Sequence, residues 1–244
     1  MNNKLTQFTT HHSPLTNFAF TLAETLIVMG IIGVVAALTL PNLNSSTGDK
    51  EKVTKVKKIY SNLEDAIGRA QAVYGPVDEW FKNDTTATAQ ATRFGERISE
   101  FLKLSKNCGT ATGCFTSGNY KWFDGTASNG NYNSNNTFYK VILADGTSLN
   151  IDATNKSNLK ITMDIDGANK GPYTLGKDLF ILDFSVDNAT FYRVGSTDIA
   201  ECIDFGTYCI QWILKNDNMD YLKVDSSGKC PNGTVLSDTN NSCK

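Results

Sequence analysis

The chain has 244 residues, 40% of them hydrophobic and 10% aromatic, enough to bury a core in one or two domains and too apolar for a disordered tail. A formal charge of −2, with Lys and Arg scattered along the chain, excludes the basic stripe of a dedicated nucleic-acid binder. The two histidines, His11 and His12, both precede the first long apolar run. A chain beginning at that run therefore has no histidine for a Ser-His-Asp, Cys-His or His-ligated zinc centre.

In chain order, residues 20–40 are nearly all apolar, with Glu24 as the one acid near the front. A helix of about 20 such residues spans about 30 Å, the thickness of a hydrocarbon core, so the run predicts a membrane-spanning segment. Pro41 and a short polar stretch follow, and then Val53, Val56, Ile59 with Tyr60, Leu63, Ala66 with Ile67, Ala70, and Val73 with Tyr74 recur at three-four spacing. That spacing predicts an amphipathic helix with one face on a globular domain, reached past a proline kink. Phe94, Ile98, Phe101, Leu102 and Leu104 predict a second helix within 91–106, and the Gly/Asn/Ser-rich stretch 116–136 predicts a surface loop.

Strand signals dominate the rest. The run "FYKVILADGTSLNI" places Asp145-Gly146 between alternating segments, a strong hairpin signal. The segments "LKITMDI", "LFILDFSV" and "FYRV" read as further strands, and "YCIQWIL" as one more. A long helix followed by strands predicts an α+β fold, with the helix laid on an antiparallel sheet. The six cysteines fall in close pairs, Cys108 with Cys114, Cys202 with Cys209 and Cys230 with Cys243. None is a C-x-x-C metal or redox pair, and the even count behind an export segment reads as disulfides formed outside the cytosol. Sequence does not select the connectivity, although neighbours pair at the least loop-closure cost.

The run "A-F-T-L-A-E" followed by the apolar segment resembles the prepilin motif of type IV pilins and type II secretion pseudopilins. The resemblance rests on about a tenth of the chain, with Ala19 standing where the family usually has glycine and Lys4 the sole Lys or Arg of the leader. It implies cleavage between Ala19 and Phe20 by a prepilin peptidase, N-methylation of Phe20, and Glu24 as the fifth mature residue. Pro41 matches the proline that bends the helix in family members. The implied organisation is a leader at 1–19, an apolar membrane-embedded half-helix at 20–41, an amphipathic half-helix at 50–74 and an exported pilin-like domain at 75–244. The precursor would lie in the bacterial inner membrane as a single-pass protein with its domain outside the cytoplasm, and later in a pilus (fimbrium) or periplasmic pseudopilus. Implied partners are the peptidase, identical or related subunits, an assembly ATPase, a platform protein and membrane lipid.

The resemblance gives Glu24 a physical purpose. An acid in an apolar segment is costly and normally paired. Cleavage would free an amine at Phe20 that stays cationic after methylation, and Glu24 of one subunit could meet the Phe20 amine of its neighbour. The alternative is a membrane-anchored extracytoplasmic binding module that does not polymerise, its Glu24 snorkelling at the membrane edge.

The segment "DIDGANKGPYTLGKD" offers Asp164, Asp166 and Asp178 as oxygen donors for calcium, and loosely resembles a calcium-holding loop of some pseudopilins. Asp and Gly are equally the chemistry of a tight turn. The Cys230 to Cys243 region resembles the disulfide-bounded terminal loop of related pilin-like proteins. No acid pair stands in a recognised catalytic context, so a structural subunit rather than an enzyme is expected, with no obligatory cofactor.

Overall fold

The computed structural model describes residues 21–192 and 199–243, with backbone alone at 37–47. The chain divides into two compact units, one ending at Ser46 and the other beginning at Thr47. The helix α1, Leu22–Tyr74, contributes to both. The polar stretch 42–50, expected to separate two half-helices, is itself helical.

The membrane-embedded first half expected for this helix is corrected. Among the described residues no helix is long and apolar enough to cross a membrane. Described apolar side chains extend from Leu22 to Ala36, about 22 Å of helix at 1.5 Å per residue, against the roughly 30 Å of a hydrocarbon core.

The second unit is α+β. Six strands, β1 (Leu104–Gly109), β2 (Tyr139–Leu143), β3 (Ser148–Asp152), β4 (Asn158–Asp164), β5 (Leu179–Ser185) and β6 (Thr190–Phe191), form one antiparallel sheet in sequential order. The β2–β3 hairpin turns at Asp145-Gly146, where Gly146 adopts a φ of 86° that a side-chain-bearing residue rarely takes. Asp145 accepts a hydrogen bond from the Thr147 amide there.

Period-two alternation gives the sheet two different faces. Tyr139, Val141, Leu149, Ile151, Ile161, Met163, Phe180, Leu182 and Phe184 belong to the main core on the inner face. Val53, Val56, Ile59, Leu63, Ala66, Ile67 and Ala70 of α1 are buried in the same core. Tyr74 packs partly buried against the core as expected, whereas Val73 is 63% exposed, and the Gly75 amide closes the helix on the Gln71 carbonyl.

The second helix, α2 (Ala87–Ser99), starts at Thr86, whose hydroxyl accepts from the Ala89 amide. It stops at Ser99; residues 100–103 turn, and the end of the expected helical segment, from Leu104, enters β1, where pairing with β2 outcompetes continued helix. The "YCIQWIL" segment is a helix rather than a strand: α3 (Ile199–Phe205) and α4 (Cys209–Asn216) are joined by the Cys202–Cys209 disulfide. Ile210 and Ile213 share a helical face toward the core, a pattern a short apolar run does not distinguish from a strand.

The outer face of the sheet carries Lys140, Ser148, Asn150, Thr162 and Asp164, all buried. They lie under the long connection between β1 and β2, whose Phe115, Tyr120 and Tyr132 form a second apolar cluster with Leu175 and Leu179. Lys140 holds this cover down by donating to the Thr110 carbonyl at 3.1 Å and the Asn135 carbonyl at 2.6 Å. The stretch expected to be a surface loop is irregular and mostly exposed, and Tyr120, Tyr132 and Asn133 anchor it.

Close approach of α2 to β2 depends on Gly95, where an added Cβ would stand 2.1 Å from the Tyr139 ring. Gly95→Ala is expected to cost about 1–3 kcal/mol, read as a lowered urea midpoint with an unchanged slope. An unchanged midpoint would contradict the contact.

Candidate functional site

Two regions gather the residues singled out by the sequence. The first is the start of α1. Thr21 is its N-cap: the Thr21 hydroxyl accepts from the Glu24 amide at 3.2 Å, and Glu24 Oε2 accepts from the Thr21 amide and hydroxyl, each at 2.9 Å. This is a capping box, in which the first and fourth residues satisfy each other's orphan groups at the positive end of the helix. The T-x-x-E spacing inside the prepilin-like motif carries that signal independently of any assembly role. All the capping atoms lie beyond the expected cut, so processing would leave the box intact.

Past the cap, the helix is apolar all round. Leu22, Leu26, Ile27, Val28, Met29, Ile31, Ile32 and Val34 are 53% to 80% exposed. Gly30 and Gly33 leave open space where a Cβ would stand. A helix of this kind reaches low free energy only when something covers it, and each large side chain gains about 1.5–3 kcal/mol on full burial. Ala19 and Phe20 lie outside the described residues, and Pro41 lies where backbone alone is described.

The second region is the β4–β5 connection. Asp164 ends β4 and Asp178 immediately precedes β5, and both are fully buried. Asp178 accepts the Tyr173 and Thr174 amides at 2.6 Å each. Asp164 accepts the Gly167 amide at 2.9 Å through Oδ1, while its buried Oδ2 has no partner. Asp166 instead faces Lys52 of α1 at 3.6 Å, and the Lys52 ammonium also donates to the Lys177 carbonyl at 3.0 Å. Lys55 donates to the Ile165 carbonyl, so two α1 lysines clamp this loop.

The three aspartates expected as calcium donors are therefore neighbours with divided duties. Asp178 is occupied by amides and Asp166 by a lysine, and among the described residues no group of three His, Cys, Asp or Glu side chains is placed to hold a metal ion. The donor set does not fit a calcium cage, which needs six or more converging oxygens.

All six cysteines are paired with their neighbours in sequence, as Cys108–Cys114, Cys202–Cys209 and Cys230–Cys243. The three disulfides are consistent with an extracytoplasmic location. The C-terminal loop is also pinned by Asp220, which accepts the Cys243 amide at 2.8 Å and the Ser242 hydroxyl at 3.0 Å. Sequence reading missed that anchor, because only the folded chain brings Asp220 to residues 22 and 23 positions away.

No family model matches the chain, and no curated protein or solved structure matches it either. Assignment of function therefore rests on the motif and on the geometry above.

Burial and the facing Asp178 carboxylate push the Asp164 carboxyl up from 3.8 to about 7, and the same burial raises Asp178. A carboxyl that holds its proton more tightly when folded makes stability fall as pH rises between the unfolded and folded values, here from near 4 to near 7. The melting temperature is expected to decline from about pH 5 to about pH 8, and Asp164→Asn to flatten that decline and raise the melting temperature at the upper end. An undiminished slope in the variant would contradict this assignment.

Proposed function

We propose that the chain is a structural subunit of a type IV pilus or of a type II secretion pseudopilus, processed before Phe20 by a prepilin peptidase and assembled through the start of α1. The observation that carries the reading is the sequence A-F-T-L-A-E leading directly into a helix whose apolar side chains stand exposed on every side. Packing against the same segment of other copies covers those side chains, and Gly30 and Gly33 let helices approach closely. Glu24 pairs with the Phe20 amine of a neighbour, neutralising both charges in the apolar contact. The second unit, stabilised by three disulfides, then faces outward. An assembly ATPase and a platform protein are the partners this role requires, and no nucleic acid enters it.

A second reading has one observation in its favour. Because Thr21 already satisfies Glu24, the acid has a local role as a cap in an extracytoplasmic binding module that never polymerises.

Glu24→Gln separates the two, since glutamine keeps an acceptor for the Thr21 amide and loses the charge. The expected outcome is a mature chain beginning at N-methylated Phe20, read by intact mass and N-terminal sequencing, with assembled polymer reduced at least tenfold in the variant. A chain retaining residues 1–19, or undiminished assembly by Glu24→Gln, would overturn the subunit reading.

A further inference from the structure

The outer face of the sheet holds a feature that assembly through α1 leaves unused. A cleft of about 260 Å³ opens beside β3 and β4, walled by Trp122, Tyr132 and Phe138 and floored by Asn150, Asp152 and Thr162. A second cleft of about 350 Å³ shares Asp152 and Lys160 with it and is lined further on by Thr154, Asn155 and Asn158. One strip thus runs from an aromatic end to an end rich in amides and hydroxyls.

We propose that this strip binds a neutral oligosaccharide of pyranoses with equatorial hydroxyls, one sugar ring seated among the aromatics and the next along the amide end.

The aromatic walls are held in place before any ligand arrives. Tyr132 meets Tyr120 edge-on at 4.8 Å and Phe115 at 5.9 Å, and Trp122 meets Phe205 edge-on at 6.3 Å. An aromatic face is electron-rich, and a pyranose with equatorial hydroxyls presents a flat face of polarised C–H bonds to it. Preformed rings make that contact with little loss of side-chain freedom.

The polar groups match a polyol. Asn150 is fully buried and lines the cleft; its Nδ2 reaches the Tyr132 carbonyl at 3.5 Å, while its Oδ1 has no partner. Further along the strip, Thr154, Asn155 and Asn158 line the second cleft with hydroxyl and amide groups of the kind that exchange hydrogen bonds with sugar hydroxyls. Burial pushes the Tyr132 phenol up to about 12, so it remains a neutral hydroxyl.

Charge decides between a sugar and the other ligand that three aromatics attract. A quaternary ammonium ion needs an electronegative cage. Here Lys160 lines both clefts and stands between Asp152 and Asp183 in the strand registers, so a cation already occupies the place a quaternary ammonium would take. The strip lies wholly within the second unit, and its occupancy is independent of how α1 assembles.

The test is titration of the full chain with cellotetraose, chitotetraose and choline chloride, followed by tryptophan fluorescence and calorimetry. Trp80 and Trp212 are only 3% and 1% exposed, so Trp122 is the tryptophan a ligand can reach. A tetraose is expected to saturate with a shift in emission, choline to leave it unchanged, and Trp122→Ala to weaken sugar binding at least tenfold while the variant still unfolds in one cooperative transition above the titration temperature. Asp152→Asn, which preserves shape, is expected to weaken it several-fold. Absence of tetraose binding at millimolar concentration, equal binding by both variants, or binding of choline in place of the sugars would each overturn the proposal.

Discussion

The apolar stripe of α1 laid across the inner face of the sheet is the contact on which the second unit is organised. Val56, Ile59, Leu63, Ala66 and Ala70 lose all their exposed surface there, and the sheet residues they join come from consecutive antiparallel strands. Burial of Val56, Ile59 and Leu63 contributes about 1.5–3 kcal/mol each, so the stripe is a major share of what holds helix and sheet together. The same α1 lysines that flank the stripe, Lys52 and Lys55, reach the β4–β5 connection and fix it. With the inner face committed to α1 and α2, the outer face is closed by a different device, a disulfide-bearing lid held to the sheet by Lys140. The two faces therefore differ in chemistry, one dry and aliphatic, the other polar and lined by aromatic rings.

One helix serves two environments because its pattern changes along its length. In the part that meets the sheet, the three-four spacing leaves one apolar face and charged flanks. In the part from Leu22 to Val34, no polar face exists, and the Thr21–Glu24 box supplies the only local satisfaction of charge. That contrast, rather than any pocket, directs attention to the beginning of the helix as the segment that acts on something outside the chain. The proposed subunit role turns the contrast into a division of labour between contact and display.

Where short-range rules governed the outcome, the sequence was readable. Alternation in "YKVIL", "LKITMDI" and "LFILDFS" marks strands that exist, and Asp145-Gly146 marks their first hairpin, because turn chemistry and side-chain period act within a few residues. The α1 stripe and the neighbouring disulfides were readable for the same reason. Long-range competition hid the rest. Leu104 continues the helical apolar spacing of the preceding segment but pairs with β2, and the Cys209–Asn216 helix carries an apolar run too short to reveal its period. Lys140 and Asn150 look like surface residues, and only the cover supplied by the β1–β2 connection buries them. At the start of α1 the letters T-x-x-E support both a cap and a processing motif, and one reading had concealed the other. The expected membrane-embedded half-helix fails on length among the described residues, since 22–36 supplies about 22 Å of the roughly 30 Å a hydrocarbon core requires.

The central claim is that the exposed start of α1 is covered by the same segment of other copies. Its most direct measurement is site-specific photo-crosslinking from Ile31, exposed and well inside the apolar segment, in cells that make the full chain. The account requires an adduct of twice the chain mass whose linked peptide maps to residues 22–35 of a second copy. Adducts confined to lipid or to unrelated proteins, with none between copies, would contradict it.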